Sequence, residues 1–183
     1  MGPLFNSEGM ILSGPRRGTD HEGGLSDYRS SELPVVNLAE FNVVGRVVAD
    51  GPALVVGIWV DGVRLEELAR PVELPFAEVE GKPDLAGSYE GLAAGDDILW
   101  PSRHFLGEPS LSNFDDGDTV LLGCTCGDWG CWPLVADVAV TETAVSWSRF
   151  RNGHRGNWDL KELGLFVFDR AQYEAALRGL ERN

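Results

Sequence analysis

Cysteine is scarce in this chain, three in 183 residues, and methionine scarcer still at two. Three thiols cannot all pair internally, so a framework of structural disulfides is excluded and any single bridge leaves one thiol over. Positive charge is also short: 15 Lys and Arg stand against 29 Asp and Glu, for a formal net charge of −14. A surface that tracks phosphates needs clustered Lys and Arg, which excludes nucleic acid and anionic lipid as principal partners and leaves a basic protein or a small ligand. No apolar run approaches the roughly 18 residues of a membrane span, and no signal-like apolar stretch follows a basic segment at the amino terminus. The expectation is a cytoplasmic protein. The chain also lacks G-x-G-x-x-G, a Walker lysine and an EF-hand spacing, so nucleotide and calcium binding have no motif behind them. Adjacent acids such as Glu66-Glu67, Asp96-Asp97 and Asp115-Asp116 read as surface charge.

What is present supports one core. The chain is 43% hydrophobic and carries six tryptophans and eight phenylalanines, enough for a single well-formed domain and little for two. Residues 1–31, rich in Gly, Ser, Arg and Asp, read as a mobile tail, and 32–183 as one α+β domain. Strand-like runs cover Val35 to Leu38, Phe41 to Ala49 and Ala53 to Val60. Asp61-Gly62 then forms a primed hairpin turn that returns Val63 to Leu65 beside Ile58 to Val60. A short helix is predicted over Leu65 to Ala69, with Pro71, Pro75, Pro83, Pro101 and Pro109 imposing loops after it. An antiparallel meander follows, with Thr119 to Cys124, Leu134 to Val140 and Ala144 to Phe150, and a last short strand spans Leu165 to Phe168. Asp169 is placed to cap a closing helix that runs to about Leu180. In that helix Tyr173, Leu177 and Leu180 share one face, and Glu174 pairs with Arg178. The fold class is therefore α+β, a largely antiparallel sheet with a C-terminal helix packed on it.

All three cysteines fall within eight residues, in Gly123-Cys-Thr-Cys-Gly-Asp-Trp-Gly-Cys-Trp-Pro133. If the flanking strands pair around Gly127-Asp-Trp-Gly130, Cys126 and Cys131 oppose each other and Cys124 points to the same face. Three convergent thiolates suit zinc, which prefers four soft or borderline ligands in a tetrahedron. The fourth is expected from His154, in the loop after the next strand, then from His104, then from Asp128 or a water. Two other readings stay open: a thiol-dependent oxidoreductase using the same cysteines, and three small apolar residues packed in a turn. An acidic immunity or inhibitor-type protein that covers a basic partner is a further class.

Arg149, Arg151, His154 and Arg155 form the one dense basic stretch, which reads either as an anion site or as arginines paired with nearby acids. His104, beside Arg103, reads as a general base, a ligand or a hydrogen-bonded structural histidine. No triad or other catalytic signature surrounds it, so the sequence leaves open whether the chain is an enzyme.

The run Leu121 to Leu134, with Val145-Ser-Trp147, Phe150, His154-Arg155, Trp158-Asp159 and Phe166 to Glu174, resembles a family of uncharacterised bacterial proteins. These carry a C-x-C-G-x-x-G-C-W-P-L hairpin. The resemblance covers roughly the last third of the chain, with looser echoes at Trp59 to Gly62 and Pro101 to His104. It implies a bacterial, intracellular origin and brings no activity with it.

Overall fold

Two ten-residue strands, β1 (Ala39–Val48) and β2 (Gly51–Val60), form the antiparallel hairpin that the β-branched runs predict, with Ala39 opposite Val60 and Val48 opposite Gly51. In the first half of β1 the burial alternates, Ala39 and Phe41 in, Glu40 and Asn42 out, as a strand with one face on a core must. Asp61 and Gly62 both take positive φ, 52° and 79°, the requirement of the primed turn that returns the chain into β3 (Val63–Arg64). This computed structural model describes residues 36–48 and 51–181; the tail expected over 1–31 lies outside them.

The helix after β3 corrects the sequence reading. Instead of ending at Ala69, α1 runs from Leu65 to Val79 straight through Pro71 and Pro75. Leu65, Ala69, Glu73 and Ala77, spaced four apart, are its fully buried stripe. The two prolines lie together on the exposed side, where the carbonyls they leave unpaired face water. Burial of the opposite stripe outweighs their local preference.

The stretch expected to be loops contains two very short strands, β4 (Tyr89–Glu90) and β5 (Leu92–Ala93). The meander is as read: β6 (Asp118–Cys124), β7 (Leu134–Val140), β8 (Ala144–Asn152) and β9 (Phe166–Asp169), then α2 (Arg170–Arg178). One sheet has the order β1-β2-β3 with β5 also on β2; the other runs β4-β6-β7-β8-β9. Both are antiparallel.

Two seams join the sheets. Gly91 alone separates β4, which pairs with β6, from β5, which pairs with β2. A Cβ at Gly91 would lie 2.2 Å from the Val56 carbonyl oxygen, so only glycine lets the chain change sheets there. At the other seam Asn37 bridges Phe168 in parallel. The pairings thus close a circuit around a shared core, and α2 packs on β1, β8 and β9. In that core the Trp147 indole N–H donates to the Tyr173 hydroxyl at 3.1 Å, and that hydroxyl donates to the Phe105 carbonyl at 3.0 Å. The Phe41 ring lies 5.3 Å from both Phe105 and Tyr173. Asp169 caps α2 as expected, accepting the Gln172 N–H at 2.9 Å, and Arg178 reaches Glu174 at 2.9 Å.

Candidate metal centre

The cysteine hairpin is wider than the spacing suggests. The β6–β7 ladder shifts register after Val120 and ends with Leu122 opposite Leu134, so Cys126 and Cys131 are not a ladder pair. Residues 125–133 fold instead as consecutive turns. The Gly127 N–H donates to the Cys124 carbonyl at 3.0 Å, and the Cys124 and Cys131 N–H groups both donate to the Asp128 carbonyl at 3.3 Å. Two local reasons account for the early end of the ladder. Pro133 has no N–H to contribute, and Trp129 folds back over Gly123, where a Cβ would sit 2.8 Å from the Trp129 Cα.

The turns still bring the three sulfurs together, all within 4.8 Å of one another. Cys124 and Cys126 are half-buried and Cys131 is exposed. Main-chain amides point at the sulfurs: the Cys126 N–H donates to Cys124 Sγ at 3.3 Å, and the Asp128 amide hydrogen-bonds Cys126. Such bonds favour the thiolate over the thiol and commonly orient sulfur ligands. Hydrogen bonding with Cys124, then with the Asp128 amide, pulls the Cys126 thiol below its ordinary value. Cys131 is pushed up to about 11, because its hydrogen bonds and charge repulsion with Cys124 and Cys126 oppose a further anion in the cluster. A divalent cation among the sulfurs would remove that repulsion.

The candidate fourth donors are placed differently. His154 reaches the same loop: its Nε2 is 2.9 Å from the Gly130 carbonyl, and its ring stacks on Trp132 at 6.5 Å. A carbonyl only accepts, so Nε2 carries the hydrogen and Nδ1 keeps its lone pair in the neutral ring. Asp128 uses Oδ1 to accept the Gly130 N–H at 2.9 Å. His104 is fully buried elsewhere. Its Nε2–H donates to the Val120 carbonyl at 2.7 Å, Nδ1 accepts the Ser110 N–H at 3.1 Å, and burial pushes its pKa down. That is a structural histidine with both nitrogens occupied. The mutually close donor set among the described residues consists of the three cysteines.

The arginines of the basic stretch are paired with acids. Arg149 meets Asp137 and Arg151 meets Asp116, both at 2.8 Å, and Arg155 meets Glu80 at 2.9 Å. Arg155 also lies over the Trp132 ring at 5.0 Å, so this stretch braces the cysteine loop from the side.

Two features next to the cysteines have no local sequence pattern. Tyr89 is the ladder partner of Cys124. Its hydroxyl donates to the buried Glu73 carboxylate and accepts from the Asn152 amide at 2.9 Å, while Asn152 Oδ1 accepts the His154 N–H at 2.9 Å. Glu73 also accepts the Gly87 N–H at 2.7 Å. The second feature is a cavity of about 220 Å³ with Cys124 in its wall, lined also by Leu92, Asp97, Ile98, Leu111 and Trp129.

Compared with known proteins, the chain matches no family model, no curated protein and no solved structure. No helix among the described residues is long and apolar enough to cross a membrane.

Proposed function

We propose that Cys124, Cys126 and Cys131 bind one zinc ion as thiolates, with His154 as fourth ligand through Nδ1, and that the metal serves a structural or binding role. The observation that carries this reading is the convergence of three sulfurs within 4.8 Å on a loop whose own amides bond to them. Three sulfur donors match zinc better than calcium or magnesium, which take oxygen. A site closed by four protein ligands fixes a loop and leaves no position for a reacting water, so the protein is a binding module rather than a hydrolase. Its setting is a bacterial cytoplasm, and its acidic surface, with a formal charge of −14, suits a basic protein or a small cationic ligand.

The test is elemental analysis of tag-free protein with native and denaturing mass spectrometry and a thiol count. About one zinc per chain, released on denaturation with all three thiols then titratable, supports the reading. Cys126→Ser should lower zinc content and melting temperature together. His154→Ala with zinc stoichiometry intact would remove His154 from the ligand set. Three free thiols and no zinc, even after refolding with equimolar zinc, would overturn the reading.

A second reading rests on the unequal thiols, Cys126 lowered and Cys131 raised to about 11 in one cluster: a thiol-dependent oxidoreductase. A mass deficit of about 2 Da reversed by reductant, with no zinc, would favour it.

A further inference from the structure

We propose that the cavity beside Cys124 binds a small organic cation, an ammonium group on a short apolar body. The proposal deepens the metal reading and rests on it, since the loop that zinc would fix supplies one wall through Cys124, Gly127 and Trp129.

The size of the cavity limits the ligand. A volume of about 220 Å³ lies below the roughly 300–1,000 Å³ of pockets that hold drug-sized ligands, so it suits a small body. Its apolar lining is set by the fold. Leu92 is held on β2 through the Val56 pairing, and Ile98 is buried on the turn that donates its N–H to the Gly95 carbonyl at 3.0 Å. These side chains give an apolar body a dry contact.

The charge of the lining selects the head group. Asp97, an exposed residue, is the acid of the lining, and among the described residues no Lys, Arg or His lines the cavity. Trp129, 37% exposed, is among the residues that line the same space. A carboxylate accepts hydrogen bonds from an ammonium and an indole face attracts its charge, so the two residue types together suit an ammonium head group. Cys124 and the two thiols beside it add no positive charge, and three thiolates on one divalent ion would carry a net negative charge. An anionic ligand would meet only like charge, so the lining discriminates by sign.

Gly95 provides a steric probe. Among the described residues a Cβ there would meet the Ala93 carbonyl alone, at 4.0 Å, and its φ lies outside the left-handed region. Gly95→Leu therefore fills the cavity while the backbone hydrogen bonds remain.

The experiment titrates n-butylammonium, n-butanol and n-butyrate at pH 7 into protein of measured zinc content, read by calorimetry and by Trp129-region chemical shifts. One exposed carboxylate and one ring face together should make butylammonium bind about fivefold to tenfold tighter than butanol, with butyrate weakest. Asp97→Asn should bring the amine to the level of butanol, and Gly95→Leu should abolish binding of both while melting as the wild type does. Butyrate binding as well as the amine, no binding of any probe, or binding indifferent to both substitutions would overturn the proposal. Full zinc with no amine binding overturns the cavity proposal alone; amine binding without zinc overturns the metal reading alone.

Discussion

Replacing Tyr89 by Phe should destabilise the protein by about 3 kcal/mol, although it removes a single oxygen and leaves no cavity. That hydroxyl donates to Glu73 and accepts from Asn152, and all three residues are buried, Glu73 and Asn152 completely. In the Phe variant one carboxylate oxygen loses a charge-assisted bond and one amide N–H is left without an acceptor, each costing roughly 1–3 kcal/mol. With a urea m-value of about 2 kcal/mol/M, the midpoint should fall by about 1.5 M at unchanged m. Glu73→Gln supplies one acceptor oxygen where the Tyr89 hydroxyl and the Gly87 N–H need two, so it should cost about 2 kcal/mol. Because the two substitutions damage one contact, the double variant should lose about 3 kcal/mol rather than about 5, a coupling of about 2 kcal/mol. Burial raises the Glu73 pKa above 4.5, so the folded state holds this proton more tightly than the unfolded chain does. Its contribution is complete below the ordinary carboxyl value and is lost as pH rises through the folded-state value, so the gap between wild type and Glu73→Gln should narrow as pH rises above the ordinary carboxyl range. Additivity within about 0.5 kcal/mol, or a gap that widens with pH, would refute this account of the network.

Gly123→Ala should cost about 1–3 kcal/mol by pushing Trp129 away, since its Cβ would lie 2.8 Å from the Trp129 Cα; chelator competition should show weakened zinc retention, and unchanged retention would show that this crossing does not shape the site. Asp169→Ala removes the acceptor of the Gln172 N–H and should cost about 1 kcal/mol in urea unfolding with zinc content unaffected.

The elements legible in the sequence are those whose signal is local. β7 falls on Leu134–Val140 as read, because the run is apolar and β-branched except at Asp137 and is bounded by Pro133 and the Thr141 turn. Asp169 declares itself as a cap by residue type and by the amphipathic spacing after it. α1 was not legible beyond Ala69, because its continuation depends on which side of the helix Pro71 and Pro75 face, and only burial against the sheets decides that. The cysteine cluster could be found because its donors are contiguous, but its geometry could not: the turns depend on Trp129 crossing Gly123 and on amides bonding sulfur. Glu73, Tyr89 and Asn152 are separated by 16 and 63 residues, and no local pattern announces a contact of that span.

The cysteine loop is gripped from three directions, which supports the proposed organising role for a metal there. Gly127 approaches the β1–β2 hairpin, where a Cβ would sit 3.1 Å from Val48. Gly130 is held by His154, which Asn152 positions in turn. Cys124 continues β6 and faces Tyr89 across the ladder. A metal drawing the three sulfurs together would therefore tie the tip of one sheet, the end of the other and the loop after β8 to a single point. These anchors hold the loop near one place already, so an ion there would have less chain to order. The neighbouring cavity meets the cluster through the wall formed by Cys124. Zinc would shape that wall, and Asp97 and Trp129 would select what enters.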